Sequence, residues 1–156
     1  MSFETPKGTR GGRGSTGPGV RALKGSMVRW HRRTGYKLMG MDLVILTTIG
    51  AKSGRRRENP VAWTADGEDA WLVVASAAGS RHNPAWFHNI AAHPDQVWAE
   101  FKHRRLRVIP EQLHGERRAE AWARLVERFP RYAEYQRKTD REVPVIRLTP
   151  APENHT

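Results

Sequence analysis

Thr47-Thr48-Ile49-Gly50-Ala51-Lys52-Ser53-Gly54-Arg55-Arg56-Arg57-Glu58-Asn59-Pro60 is the stretch that decides the fold. A β-rich run, 42–48, leads into it, and a second, 60–65, leads out, so its middle reads as the turn of a hairpin. The turn is chemically unusual. Gly50 and Gly54 let backbone N–H groups converge, Thr47, Thr48 and Ser53 add hydroxyls, and Lys52 with Arg55 to Arg57 adds positive charge. Arginine also grips phosphate oxygens in pairs. The segment therefore reads either as an anion cradle or as a charged, solvated hairpin turn. It is not a Walker loop, because Gly-Ala-Lys-Ser lacks the upstream glycine spacing.

About twenty residues on comes Val73-Val74-Ala75-Ser76-Ala77-Ala78-Gly79-Ser80-Arg81-His82-Asn83-Pro84-Ala85-Trp86-Phe87-His88-Asn89-Ile90. Asp66-Gly67 is a turn signal, and 69–76 reads as the returning strand. The small residues 77–80 allow a flat ring to approach the backbone closely. A short helix over 84–93 follows, with Asn83 as its N-cap. Trp86 and Asn89 lie three apart and share a face. Trp86 is either a pocket wall or core, and Asn89 bonds to a ring edge or to the loop. Further strands are expected at 96–101, around Leu106 and Val108, and at 143–148. Helices are expected over 115–129 and 130–138. Antiparallel strands with short turns and covering helices predict a mainly β, α+β chain, a small barrel with helical additions.

At 156 residues the chain fits one domain with a sizeable core. It has no cysteine, which excludes disulfides and thiolate chemistry. His82, His88 and His93 lack spaced carboxylate partners, so no metal site is expected. No run nears the roughly 18 apolar residues of a membrane span. The first residues lack a signal peptide's apolar core, and a cytoplasmic protein is expected.

The net charge of +11 calls for an anionic partner: nucleic acid, a membrane surface or a polyanionic small molecule. Residues 1–40 carry nine basic side chains against Glu4 alone. Residues 1–19 read as a flexible basic arm, with six glycines and two prolines between 5 and 19. Residues 20–41 read as a basic amphipathic helix suited to packing on the domain or to peripheral membrane contact. The barrel domain is expected over 42–150, with a loose tail at 151–156.

A last constellation is Tyr132 and Tyr135, three apart, ahead of Thr139-Asp140-Arg141. A phenol facing a cavity can protonate or hold a carbonyl. Otherwise such tyrosines are half-buried packing residues.

Together the three segments resemble the deazaflavin (coenzyme F420)-dependent nitroreductase and quinone reductase family. Its blocks are Leu-Thr-Thr-x-Gly-x-Lys-Ser/Thr-Gly-x-x-Arg-x-x-Pro, Ala-Ser-x-x-Gly-x-x-x-Asn-Pro-x-Trp-aromatic-x-Asn-Leu/Ile and Tyr/Phe-Pro-x-Tyr-x-x-Tyr-Gln-x-x-Thr-Asp-Arg-x-Ile/Val-Pro-Ile/Val. They are matched from Leu46 to Pro60, Ala75 to Ile90 and Phe129 to Val145.

The resemblance implies a split β-barrel of the FMN-binding type with an N-terminal helix. It implies hydride transfer from reduced F420 to quinones, activated enones or nitroaromatics. Lys52, Ser53, Gly54, Arg55 and Arg57 would hold the cofactor phosphate, and Asn59 and Pro60 would shape the pocket wall. Ala75, Ser76, Ala77, Ala78 and Gly79 would lie along the ring, and Trp86 and Asn89 would close the site. Tyr135, with Tyr132, would act on the acceptor. The cofactor's polyglutamate tail would meet the positive charge. The chain departs from common family residues at Ala51, Ala77 and Ala62. An FMN enzyme on the same barrel and a basic nucleic-acid-binding protein are the rival readings.

Overall fold

The computed structural model describes Phe3 and residues 8–11, 28–29, 37–38 and 40–152. Seven strands appear among these residues: β1 (Lys37–Leu38), β2 (Met41–Ile49), β3 (Arg56–Ala65), β4 (Trp71–Val74), β5 (Trp98–Phe101), β6 (Arg104–Gln112) and β7 (Val145–Pro150). Among the described residues three helices of eight or more residues accompany them: α1 (Ala85–Ala92), α2 (Gly115–Arg128) and α3 (Arg131–Lys138). The sheet runs β1-β2-β3-β4-β7-β6-β5, and β5 pairs back with β2, all antiparallel. Six strands thus close into a barrel and leave no long free edge, while β1 is a two-residue addition.

The sequence makes the barrel through alternation. Val44 and Leu46 of β2, Val61 of β3, Val73 of β4, Ala99 of β5, Val108 of β6 and Ile146 and Leu148 of β7 fill the interior. Helix α1 adds Trp86, Phe87 and Ile90 to this same core. The outward Leu72, Val74 and Val145 form a second core with Ala121 and Leu125 of α2 and Tyr132 of α3. β4 is therefore apolar on both faces, as a strand covered on both sides must be, whereas β7 carries Arg147 and Thr149 outward beyond Val145.

Register fixes where the loops emerge. Thr48 faces Arg57 in the β2–β3 hairpin, Trp63 faces Val73 in β3–β4, and Val74 faces Val145 in β4–β7. The 50–55 turn, the 75–84 segment and the chain entering β7 consequently share one end of the barrel. The Asp66–Ala70 turn and the Lys102–His103 turn lie at the other.

Several elements differ from the expectation. The helix foreseen over 20–41 does not extend to its end, since Lys37–Leu38 pairs with Met41 and Asp42 around a Gly40 turn. Val28 and Arg29 are helical, and the rest of its basic face lies outside the described residues. Four residues of the glycine-rich arm, 8–11, are docked on the domain rather than loose. Ala151 still donates to Arg107 O at 3.0 Å, so the chain stays attached just past β7. β3 starts at Arg56 because Arg56 and Arg57 continue the ladder to Ile49 and Thr48. Among the described residues no helix is long and apolar enough to cross a membrane.

Candidate active site

The turn between β2 and β3 is closed by its own backbone. Gly50 N–H donates to Arg55 O at 2.8 Å, and Gly54 N–H donates to Gly50 O at 2.9 Å. Gly54 adopts φ +69°, a conformation costly for other residues. Ser53 Oγ accepts the Arg55 N–H at 3.2 Å and keeps its hydroxyl proton to offer outward. Lys52, Ser53, Gly54 and Arg55 are exposed. Arg57 and Asn59 are half-buried and, being paired with Thr48 and Leu46, project on the side of the barrel core. Pro60 pairs with Ile45 and projects on the other side.

Asn89 anchors this turn to α1. Its Oδ1 accepts the Ala51 N–H at 2.9 Å, and its Nδ2 donates to Thr48 Oγ1 at 3.1 Å. Of the two roles open to Asn89, the structure gives it the loop. Trp86 is only 7% exposed and belongs to the barrel core, so it supports the site from beneath.

The 75–80 loop is strained. Ser76 is right-handed at φ −76°, ψ −34°, and then Ala77 (φ 44°), Ala78 (φ 53°) and Gly79 (φ 81°) are all left-handed. For alanine that conformation costs about 1–2 kcal/mol. A right-handed residue followed by a left-handed one aims successive N–H groups into one concavity, which suits an electronegative atom. Ala77 and Ala78 are exposed and Ser76 is half-exposed, so the concavity is reachable.

Arg141 holds the loop in this shape. It is 3% exposed, and its guanidinium donates to Ser80 O at 2.8 Å, Ala75 O at 3.2 Å, Ser76 O at 2.8 Å and Asn83 Oδ1 at 2.8 Å. Burial lowers its pKa to about 10, so it stays charged at neutral pH. Because C=O and N–H point oppositely across a trans peptide, the N–H groups of Ser76 and Ala77 face away from Arg141. Asn83 was expected to cap α1, but the cap position falls on Pro84, and the Asn83 side-chain oxygen accepts from Arg141. Arg141 stood in the third block without an assigned role. The visible signal was a charged residue just ahead of the apolar Val143-Pro144-Val145-Ile146 run.

Helix α3 borders the same loop. A Cβ on Gly79 would stand 2.8 Å from Tyr135 O and 2.9 Å from Lys138 Cβ, so only glycine lets the two elements meet. Tyr135 is half-buried there, with the Lys138 ammonium 5.8 Å from its ring centroid. Tyr132 is 5% exposed among Trp122, Phe129 and the second core. Desolvation pushes its phenol up to about 12. The two rings meet edge-on, centroids 6.4 Å apart, but at different depths: Tyr135 is half-buried beside the loop, and Tyr132 is packed in the core.

His88 of α1 is held below the ordinary histidine value, first by burial and then by the positive charges of His82 and Lys52. This part of the surface is therefore electropositive and disfavours further cations. Among the described residues no three His, Asp or Glu side chains cluster as metal ligands.

The sequence profile of the F420H(2)-dependent quinone reductase family matches residues 20–150. An F420H(2)-dependent quinone reductase of Mycobacterium tuberculosis is 35% identical over 120 residues, 75% of this chain and 80% of that protein. A solved F420-H2-dependent reductase is 37% identical with a TM-score of 0.60, covering 68% of this chain and 92% of its own. HutZ, a heme storage protein from Vibrio cholerae, shares the fold alone at 17% identity and a TM-score of 0.50, covering 83% and 92%.

Proposed function

The chain belongs to the F420H(2)-dependent quinone reductase family, and we propose that it reduces quinones, and by the same chemistry activated enones and nitroaromatics, at the barrel end bearing the 50–55 turn and the 75–80 loop. The observation that carries this site is the pairing of a cationic glycine turn with a strained, backbone-lined concavity locked by Arg141. The donor set fits the cofactor. Hydroxyl, ammonium and guanidinium groups suit its phosphate. Exposed alanines over outward-facing N–H groups suit the polar edge of a flat ring.

When bound, coenzyme F420 supplies the hydride equivalent. Lys52, Ser53, Arg55 and Arg57 would hold its phosphate, with Gly54 setting the turn. Asn59 and Pro60 would form the wall nearby. The N–H groups of Ser76, Ala77 and Ala78 would orient the ring edge. Tyr135 Oη would hold the acceptor's carbonyl oxygen and give it a proton, recovering that proton from water through its half-exposed position. Tyr132, packed in the core, keeps α3 in place. The exposed cations Lys52, Arg55 and Arg81 suit a tail of carboxylates.

The test is turnover. Purified protein with reduced F420 and menadione should reoxidise the deazaflavin well above the rate without protein. A rate equal to the protein-free one, with activity appearing on FMN instead, would reassign the chemistry on the same barrel.

A further inference from the structure

The glycine-rich arm has a built docking site. Gly8 N–H donates to Arg81 O at 2.8 Å. The Asp140 carboxylate accepts three donors: Thr9 N–H at 2.7 Å, the Thr9 hydroxyl, and Arg10 N–H at 2.9 Å. The Arg10 guanidinium reaches Arg137 O at 3.3 Å. Upstream, Phe3 meets Phe87 of α1 edge-on, with ring centroids 6.4 Å apart.

The glycines are fitted to this contact. A Cβ on Gly8 would collide with Asp140 Oδ1 and stand 2.9 Å from the backbone N of Arg141 and from Thr139 Oγ1. One on Gly11, at φ +144°, would stand 2.6 Å from Arg81 N and 2.7 Å from Gly79 O. Arg141 N, Arg81 N and Gly79 O are backbone atoms, which cannot swing aside as a flexible side chain can. Composition alone suggests a flexible linker, but here glycine permits close approach.

The place of contact matters. Gly79, Ser80 and Arg81 form the far limb of the left-handed loop, and Arg141 grips that loop from beneath. The arm crosses from this limb to Asp140 and Arg137 at the end of α3. The loop is thereby clamped between a buried guanidinium and the arm. A loop already ordered in a strained shape costs less to order when a ligand arrives.

We infer that residues 8–11 are a strap that Asp140 latches over the Gly79–Arg81 backbone, and that strap docking and cofactor binding strengthen each other. Asp140 is thus a positioning residue that acts through the strap. The coupling rests on the F420 reading above, whereas the latch itself does not. Because coupling of two binding events is reciprocal, cofactor should tighten the strap as much as the strap tightens cofactor.

Amide hydrogen exchange on the full chain tests both parts. The wild type is compared with Asp140→Ala, which removes the latch, and Gly8→Val, which blocks the seat. Thr9→Val deletes only one of the three donors and serves as a mild variant. Thermal melts confirm that each is folded. Exchange at residues 8–10 should be slow in the wild type and at least about tenfold faster in Asp140→Ala and Gly8→Val. The Thr9→Val variant should lie between. Adding F420 should slow this exchange in the wild type, and both strap-releasing variants should bind F420 about 5-fold or more weakly by tryptophan quenching. Equal exchange at 8–10 in wild type and variants would overturn the latch. Faster exchange with unchanged F420 affinity would overturn the coupling. If the wild type bound no F420, the coupling would fall with the cofactor reading, while exchange in the cofactor-free protein would still decide the latch.

Discussion

Asn89 Oδ1 accepts the Ala51 N–H at 2.9 Å, and this bond fixes the cationic turn to the helix that plugs the barrel. The same amide donates to the fully buried Thr48 hydroxyl. One side chain therefore sets both the height and the direction of the turn. Asn89→Leu should cost about 1–3 kcal/mol, since the buried Thr48 hydroxyl and the partly buried Ala51 N–H lose their partner. Asn89→Asp is the sharper variant. It keeps the acceptor for Ala51, and the Thr48 hydroxyl can rotate to donate to it, but it adds negative charge beside the turn. It should fold nearly as well as the wild type and bind anions more weakly. Urea denaturation and a phosphate or F420 titration read the two effects separately.

Arg141→Lys should fail although it keeps the charge. A lysine is a point donor and cannot span Ala75, Ser76, Ser80 and Asn83 at once. Hydrogen bonds to charged groups contribute about 1.5–3 kcal/mol each when lost singly, and these share one group. A loss of about 3 kcal/mol in unfolding free energy is expected, with weaker F420 binding. A variant as stable as the wild type would show that the loop holds its shape without the guanidinium.

The two tyrosines should part company in kinetics. Tyr135→Phe should lower kcat about 10-fold or more while leaving F420 affinity nearly unchanged, as expected for a group that acts on the acceptor in the transition state. Tyr132→Phe should leave kcat within about 2-fold, because its phenol is buried in the second core and raised to about 12. Tyr132→Ala should instead destabilise the fold by about 3–5 kcal/mol. Steady-state rates with menadione, alongside melts, distinguish these outcomes.

His88 reports on the turn. Its folded pKa lies below the ordinary value near 6.5, so the unfolded chain takes up the proton first. Its contribution to stability is therefore constant above about pH 6.5 and declines as pH falls through that ordinary value towards the folded one. An anion bound beside Lys52 offsets part of the local positive charge and should raise the His88 pKa. An NMR titration of the imidazole with and without inorganic phosphate should show an upward displacement. A downward one would place the anion elsewhere.

Much of the barrel was legible because its signals are local. The hairpin around Gly50, the Asp66-Gly67 turn and the alternation in 96–101 each declare themselves within a few residues. Strand ends were less legible. Arg56 to Asn59 have poor strand propensity, yet they pair because Ile49 back to Leu46 offer the ladder. Lys37–Leu38 reads as helix by periodicity, and pairing with Met41 and Asp42 overrides it. At the site, the residue types and their grouping were visible, but the division of labour was not. Asn89 facing the turn, Trp86 in the core and Tyr132 lying deeper than Tyr135 all depend on which way α1 and α3 pack. Asp140 reaching across 131 positions to Thr9 has no local signature at all.

Coenzyme F420 is proposed to bind at this barrel end, with its phosphate on the 50–55 turn. The most direct measurement is tryptophan quenching during titration with oxidised F420, run beside FMN at low and high salt. Tight F420 binding that weakens as salt rises, with much weaker FMN binding, is expected. Tight FMN binding with no response to F420 would contradict it.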